Sequence, residues 1–337
     1  MATLFTNNWT RISGLLFGLL MLAALLLTSM AYGLTTISWS DVYHSFTHYD
    51  SSSNAQIIVQ TSRMPRALTA AAIGASLAVA GTLIQGLTVN PLSDPNVLGI
   101  NYGSSFLVVL AATQFSVSSL PMQTLVSFCG AAIGAIAVYI LGSLGRDGLT
   151  PLKIILAGAA LGALFSSFTQ GMLVLNEDGL NEVMFWLTGS VAGRSLDMLK
   201  AVLPLMIAGW CAAMVIARHM NVLTMGDDTA QGLGQRTLLV KLAAGLIIVA
   251  LAGGSVAIAG PVGFIGLIVP TCARMFAGSD FRWLVPYSAM LGALLVVTAD
   301  IAGRFVIRPE ELPVGIMTAA VGIPMFIFIA RRGIIKK

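Results

Sequence analysis

A chain of 337 residues with 57% hydrophobic and only 9% charged side chains cannot clothe a soluble domain in water-facing groups, for which about 25% charged residues are usual. The net charge of +4 is scattered among apolar runs and forms no basic stripe, which excludes a nucleic-acid-binding surface. The 35 glycines and 12 prolines suit closely packed, sometimes broken, membrane helices.

The first apolar run, 12–31, follows Arg11 and holds 20 residues. It is long enough to span a bilayer and longer than a secretory signal core, so it reads as a retained first span. Next comes RMPR at 63–66, after which Asp94 is the only Asp, Glu, Lys or Arg before Arg146. In lipid such emptiness is required, because a charge at mid-bilayer costs roughly 2.5–3.5 kcal/mol. The two arginines mark one membrane boundary, and Asn90-Pro91 with Asp94-Pro95 mark the opposite one. Further runs at 97–113, 122–144, 152–175, 201–217, 242–259, 264–276, 283–302 and 312–330, with 67–89, bring the expected spans to about ten. The run 264–276, bounded by Pro261 and Pro270, is too short to cross straight. It is either extended by its glycine-rich approach or broken.

With the N-terminus inside, twelve Lys and Arg fall on the inner side and six on the outer. This places both termini in the cytoplasm. Ala78-Val79-Ala80-Gly81, with Pro91 ten residues beyond, matches Ala257-Ile258-Ala259-Gly260, with Pro270 ten beyond, at an offset of 179. The two copies run in opposite directions across the membrane, which predicts an inverted repeat. The fold class is therefore all-α, a polytopic membrane protein formed as one domain over 1–337.

No catalytic constellation is present. His44, His48 and His219 are far apart, and no HExxH, GxSxG or Walker loop occurs. Cys129, Cys211 and Cys272 stand singly and read as packing residues, so no metal site is expected. The segment 221–235 is the main amphipathic surface element. Gly226 punctuates it, Asp227 or Asp228 would cap a short helix over 229–233, and Gly234 would end it. Met225, Ala230 and Leu233 give it an apolar side, either lying in the lipid interface or docking a cytoplasmic partner. Arg63, Arg66 and Arg304 break the positive-inside tendency on the outer face. They read as lipid-snorkelling residues or as an acceptor for carboxylates of an extracytoplasmic partner. Asp300 precedes Arg304 by one helical turn.

These residues resemble a known family. RMPR at 63–66, NPLSDPNVLG at 90–99, the loop ending Leu233-Gly234, GPVGFIGLIVP at 260–270 with Arg274, ADIAGR at 299–304 and ELPVGIMTAAVGIPMFIFI at 311–329 are similar to FecCD-type permeases. These are subunits of ATP-binding-cassette importers for iron siderophores, haem and cobalamin. Thr271 departs from the pattern, since many relatives carry histidine there. The resemblance implies that Arg63, Arg66 and Arg304 receive glutamates of a substrate-binding protein. It implies that Gly226, Asp227, Ala230, Leu233 and Gly234, with Met225, form the coupling helix for the ATPase. It places Asn90, Pro91 and Thr150 near the cytoplasmic gate. The partners implied are a second permease chain, identical or paralogous, two ATPase subunits, the binding protein and the bilayer. ATP and magnesium belong to the ATPase, and no cofactor is expected on this chain. An ion-coupled secondary transporter is the rival reading. It would need buried acids or histidines, of which the spans offer almost none.

Overall fold

The computed structural model describes residues 7–33, 35–117, 119–144, 150–175, 186–307 and 309–331, and these are helical without a strand. Arg146, Arg308, Arg332, Lys336 and Lys337, used in the inside–outside count, lie outside them.

In chain order the helices are α1 (Asn8–Ala31), α2 (Trp39–Thr47), α3 (Asn54–Leu87), α4 (Ile100–Phe115), α5 (Leu120–Ser143), α6 (Pro151–Leu175), α7 (Leu196–Leu223), α8 (Asp227–Gly232), α9 (Thr237–Ala259), α10 (Ile265–Ala277), α11 (Phe281–Val306) and α12 (Val314–Arg331). Each of the ten expected apolar runs falls on one of them. Seven helices are long and apolar enough to cross a membrane, and α10 and α12 are shorter apolar helices. The chain is thus an all-helical, multi-pass membrane protein.

The centre is α3. Of its most apolar window 83% is buried, against 11% for α1 on the periphery. Around α3 pack α11, α10, α7, α9 and α1, while α4, α5 and α6 form a second group. Small residues allow the closest approaches. A Cβ on Gly74 of α3 would stand 2.2 Å from the Gly292 carbonyl oxygen of α11, and the reverse distance is the same. Likewise α4 and α5 meet through Gly103 and Gly130. Without a hydrophobic drive between helices in lipid, such backbone contact supplies the packing.

The short helices have a common cause. Asp94-Pro95, expected at the membrane boundary, instead opens a 3₁₀ turn, Pro95–Leu98, that folds back along α3. Pro95 packs on Gly266 at the start of α10, and Gly266 in turn abuts Gly81. Gly81 stands six residues before Leu87, about 9 Å of helix rise. Both α4 and α10 therefore begin part-way into the bundle. The run 264–276 is broken rather than extended: α9 ends at Ala259 and Gly260 turns with φ 75°. The break is sealed by protein, as lipid requires: Ser190 N–H donates to Ala259 O at 2.7 Å. Ala78–Gly81 lies inside a helix whereas Ala257–Gly260 ends one, so this short match joins two different local structures.

A proline also shapes α3. Pro65 has no N–H and its ring crowds the preceding turn. The helix widens over Val59–Arg63, where Met64 N–H reaches back five residues to Val59 O. The wide turn ends at Arg63.

Candidate functional site

At one end of the bundle the three arginines expected on the outer face come together. The last carbonyls of α1 lack partners within their own helix and carry its negative dipole end. Arg63 Nη1 donates to Met30 O at 2.9 Å and Ala31 O at 2.7 Å, and its Nη2 donates to Thr35 O and to Thr35 Oγ1. Arg304 Nη1 donates to Ser29 O at 2.8 Å and Tyr32 O at 3.0 Å. Its Nη2 donates to Ser29 Oγ at 2.8 Å and to Asp300. Two guanidiniums thus cap one helix C-terminus, and both residues are buried, Arg304 to 2% exposure. Arg66 closes the cluster. Its Nε donates to both Asp300 oxygens, at 2.9 and 3.1 Å, and its Nη1 to Glu311. Three cations meet two carboxylates, and the α1 carbonyls supply the remaining negative field. All three arginines are engaged within the chain, whereas the sequence reading has them facing outward. The i+4 spacing of Asp300 and Arg304 was legible, but the α1 carbonyls that receive Arg63 and Arg304 were not.

At the other end, α7 runs through to Leu223, three residues into the expected surface segment. The short helix starts earlier than expected, at Asp227, and its N-cap is Gly226 rather than an aspartate. Gly226 has φ 105° and ψ 151°, a conformation that only glycine adopts cheaply. Asp227 is instead paired with Lys241 Nζ of α9 at 2.6 Å. Ala230, on the inner face of α8, is fully buried, whereas Met225 and Leu233, at 64% and 67% exposure, flank the helix as two apolar knobs. Gly234 turns the chain with φ 81°. Sequence reasoning missed what anchors this element. Asn221 Nδ2 donates to Asp280 Oδ1 at 2.7 Å, and Asn221 Oδ1 accepts the Phe281 N–H at 2.8 Å. Burial pushes the Asp280 carboxyl up, but hydrogen bonds from Arg282 and Asn221 outweigh it and hold the group at about 2.

Near that end, Asn90 Oδ1 accepts the Leu92 N–H at 3.0 Å, and Asn90 O accepts the Ser93 N–H at 3.1 Å. Pro91 is half-buried in the resulting turn. Thr150 precedes α6, and its carbonyl accepts the Ile154 N–H at 3.1 Å. No hydrogen bond joins Asn90 to Thr150 among the described residues. What connects their elements is Gly158 of α6, which packs on Val97 O in the re-entrant turn. Beside this turn an apolar cavity of about 280 Å³ lies between α3, α5 and α9, with Lys241 on its wall.

A family model, the FecCD transport family, matches residues 20–332. The chain belongs to the FecCD transport family. Among curated relatives, this FecCD chain is 48% identical over 328 residues to a Bacillus subtilis protein described as a probable siderophore transport system permease, YfiZ, covering 97% of both. It is 40% identical over 322 residues to the ferric enterobactin transport system permease FepD of Escherichia coli, covering 95% of both. Among solved structures it resembles a metal-chelate-type ABC transporter in an inward-facing conformation, at TM-score 0.84 and 26% identity. That match covers 95% of this chain and 99% of the other. FecCD chains are transport permeases and not enzymes.

Proposed function

We propose that this chain is the transmembrane permease subunit of an ATP-binding-cassette importer for iron(III)–siderophore, one half of a translocation pore that works by alternating access. The observation that carries this reading is the FecCD family match over 20–332, on a chain whose helices are those of a membrane bundle. The finer architecture proposed is ten spans in two oppositely oriented halves, with both termini cytoplasmic in the cell membrane. A second permease chain completes the pore, and two ATPase chains bring ATP and magnesium.

In this reading Met225 and Leu233 seat in a groove of the ATPase, and Asn221 and Lys241 pass the movement of α8 to α11 and α9. Asn90, Pro91 and Thr150 lie at the cytoplasmic gate. The arginine end faces the substrate-binding protein. Arg63 and Arg304 shape that face by fixing α1. Arg66, whose partner Glu311 is partly exposed, receives an incoming carboxylate by exchange with Glu311.

The test separates this reading from ion-coupled secondary transport. The permease is reconstituted in liposomes with its ATPase and binding protein, and ion gradients are collapsed with ionophores while ATP is supplied. Ferric-siderophore uptake continues under those conditions and stops when the ATPase lacks its Walker lysine. Uptake that ignores ATP and collapses with the ionophore overturns the importer reading.

A further inference from the structure

The nine-residue helix α2 was not anticipated from the sequence. Stepping about 100° per residue, eight of its nine side chains separate into three sectors, while Asp41 accepts the hydroxyl of the N-cap Ser38. Val42 and Ser45 are buried, at 3% and 1% exposure, and Val42 belongs to a small apolar cluster with Met30, Ala31 and Val59. Trp39, Tyr43 and Phe46, spaced i, i+4 and i+7, form a second sector, each more than half exposed. Ser40, His44 and Thr47, also exposed, form a third and wholly polar sector on the side away from the buried one. A soluble surface helix needs only two sectors, one for the core and one for water. Three sectors fit a helix with protein on one side, apolar medium on the second and water on the third.

Position supports the same arrangement. Trp39 meets Tyr32, the C-cap of α1, edge to face with ring centroids 6.1 Å apart. The aromatic stripe therefore continues from the end of a span whose own apolar side chains, Phe17 and Leu20, are about 70% exposed. Trp and Tyr at the ends of spans occupy the headgroup level, where one edge of the ring is wet and the other apolar.

We propose that α2 lies in the phospholipid headgroup layer, its Trp39–Tyr43–Phe46 stripe against the upper acyl chains and its Ser40–His44–Thr47 side toward water. The bilayer surface thereby holds the segment that leads into α2, and with it Thr35, whose oxygens Arg63 binds. The inference rests on the chain being a multi-pass membrane protein and is independent of what it transports.

Single cysteines at 39, 40, 43, 44, 46 and 47, in full-length chain lacking Cys129, Cys211 and Cys272, are spin-labelled after reconstitution of the complex into phosphatidylethanolamine–phosphatidylglycerol vesicles. Labels at 39, 43 and 46 should collide with oxygen several-fold more than with a water-soluble nickel chelate, and labels at 40, 44 and 47 should show the reverse. Nickel access at all six positions places the helix in water and overturns the proposal. Exclusion of both reagents at 39, 43 and 46 means that a protein covers the stripe, and overturns it equally. Because a label could unseat the helix, Trp39 is also read in the unlabelled chain. Lipids brominated near the headgroup should quench a component of the tryptophan fluorescence that is absent from Trp39→Phe. Equal quenching of the two chains counts against the proposal.

Discussion

At Arg304, donors held in a fixed plane meet two helix carbonyls, a hydroxyl and a carboxylate. A lysine ammonium is a point charge and cannot reach this set from one position. Arg304→Ala should therefore destabilise the permease by about 3–5 kcal/mol, as expected when one partner of a buried ion pair is removed. Arg304→Lys should restore little of that loss, and the thermal unfolding midpoint in detergent reads both. Arg66 and Glu311 invite a different measurement. If an incoming carboxylate competes with Glu311 for Arg66, Glu311→Gln should tighten binding-protein docking. The two side chains are only 12% and 24% exposed, so the pair is worth at least the roughly 1 kcal/mol that tops the range for exposed pairs, and the gain should be about fivefold or more in affinity. Weaker docking by that variant would show that Glu311 belongs to the binding surface itself. Residue identities made the arginines visible as anomalies of side. Their partners were hidden, because a main-chain carbonyl leaves no mark in composition.

Helices were readable where hydropathy alone decides them, and their ends were not. The run expected from 67 begins at Asn54, because the first turns of α3 carry no long apolar run and are held by side-chain bonds, Gln56 Oε1 accepting the Asp50 N–H and Gln60 Nε2 donating to Ser45 O. Likewise 264–276 was legible as short, but only packing shows that α10 starts against Gly81. The helix α2 escaped notice because nine residues with three kinds of face give neither an apolar run nor a two-sided pattern. Two changes test the elements themselves. Gly74→Leu inserts a side chain where even a Cβ would lie 2.2 Å from the Gly292 carbonyl, and overpacking typically costs 1–3 kcal/mol or more. It should separate α3 from α11 and lower the yield of folded permease, whereas the same change at Gly245, which faces open space, should be tolerated. Leu233→Asp leaves the bundle untouched, since that side chain is 67% exposed. It should abolish co-purification of the ATPase with no change in unfolding midpoint. ATPase retained at wild-type stoichiometry would remove α8 and its flanks from the coupling role.

Across the whole molecule, the arginine cluster and the α8 surface sit at opposite ends of α3 and α11. The connections between elements were beyond a single sequence, since Arg66 and Asp300 lie 234 residues apart and Asn221 and Asp280 lie 59 apart. One such span in sequence sets an order of events during synthesis. The helix α1 enters the membrane first, yet Arg304, which binds its Ser29 carbonyl, lies 275 residues further on. Until then the end of that helix rests on residues close behind it, the Ile37 N–H on Ala31 O and Arg63, 33 residues beyond Met30. Chains stalled on the ribosome between these two arginines should leave a photoactivatable probe at position 18 free to cross-link to lipid. That cross-linking should fall once α11 has emerged and Met290 packs over position 18. The last third of the polypeptide is thus what fastens its beginning.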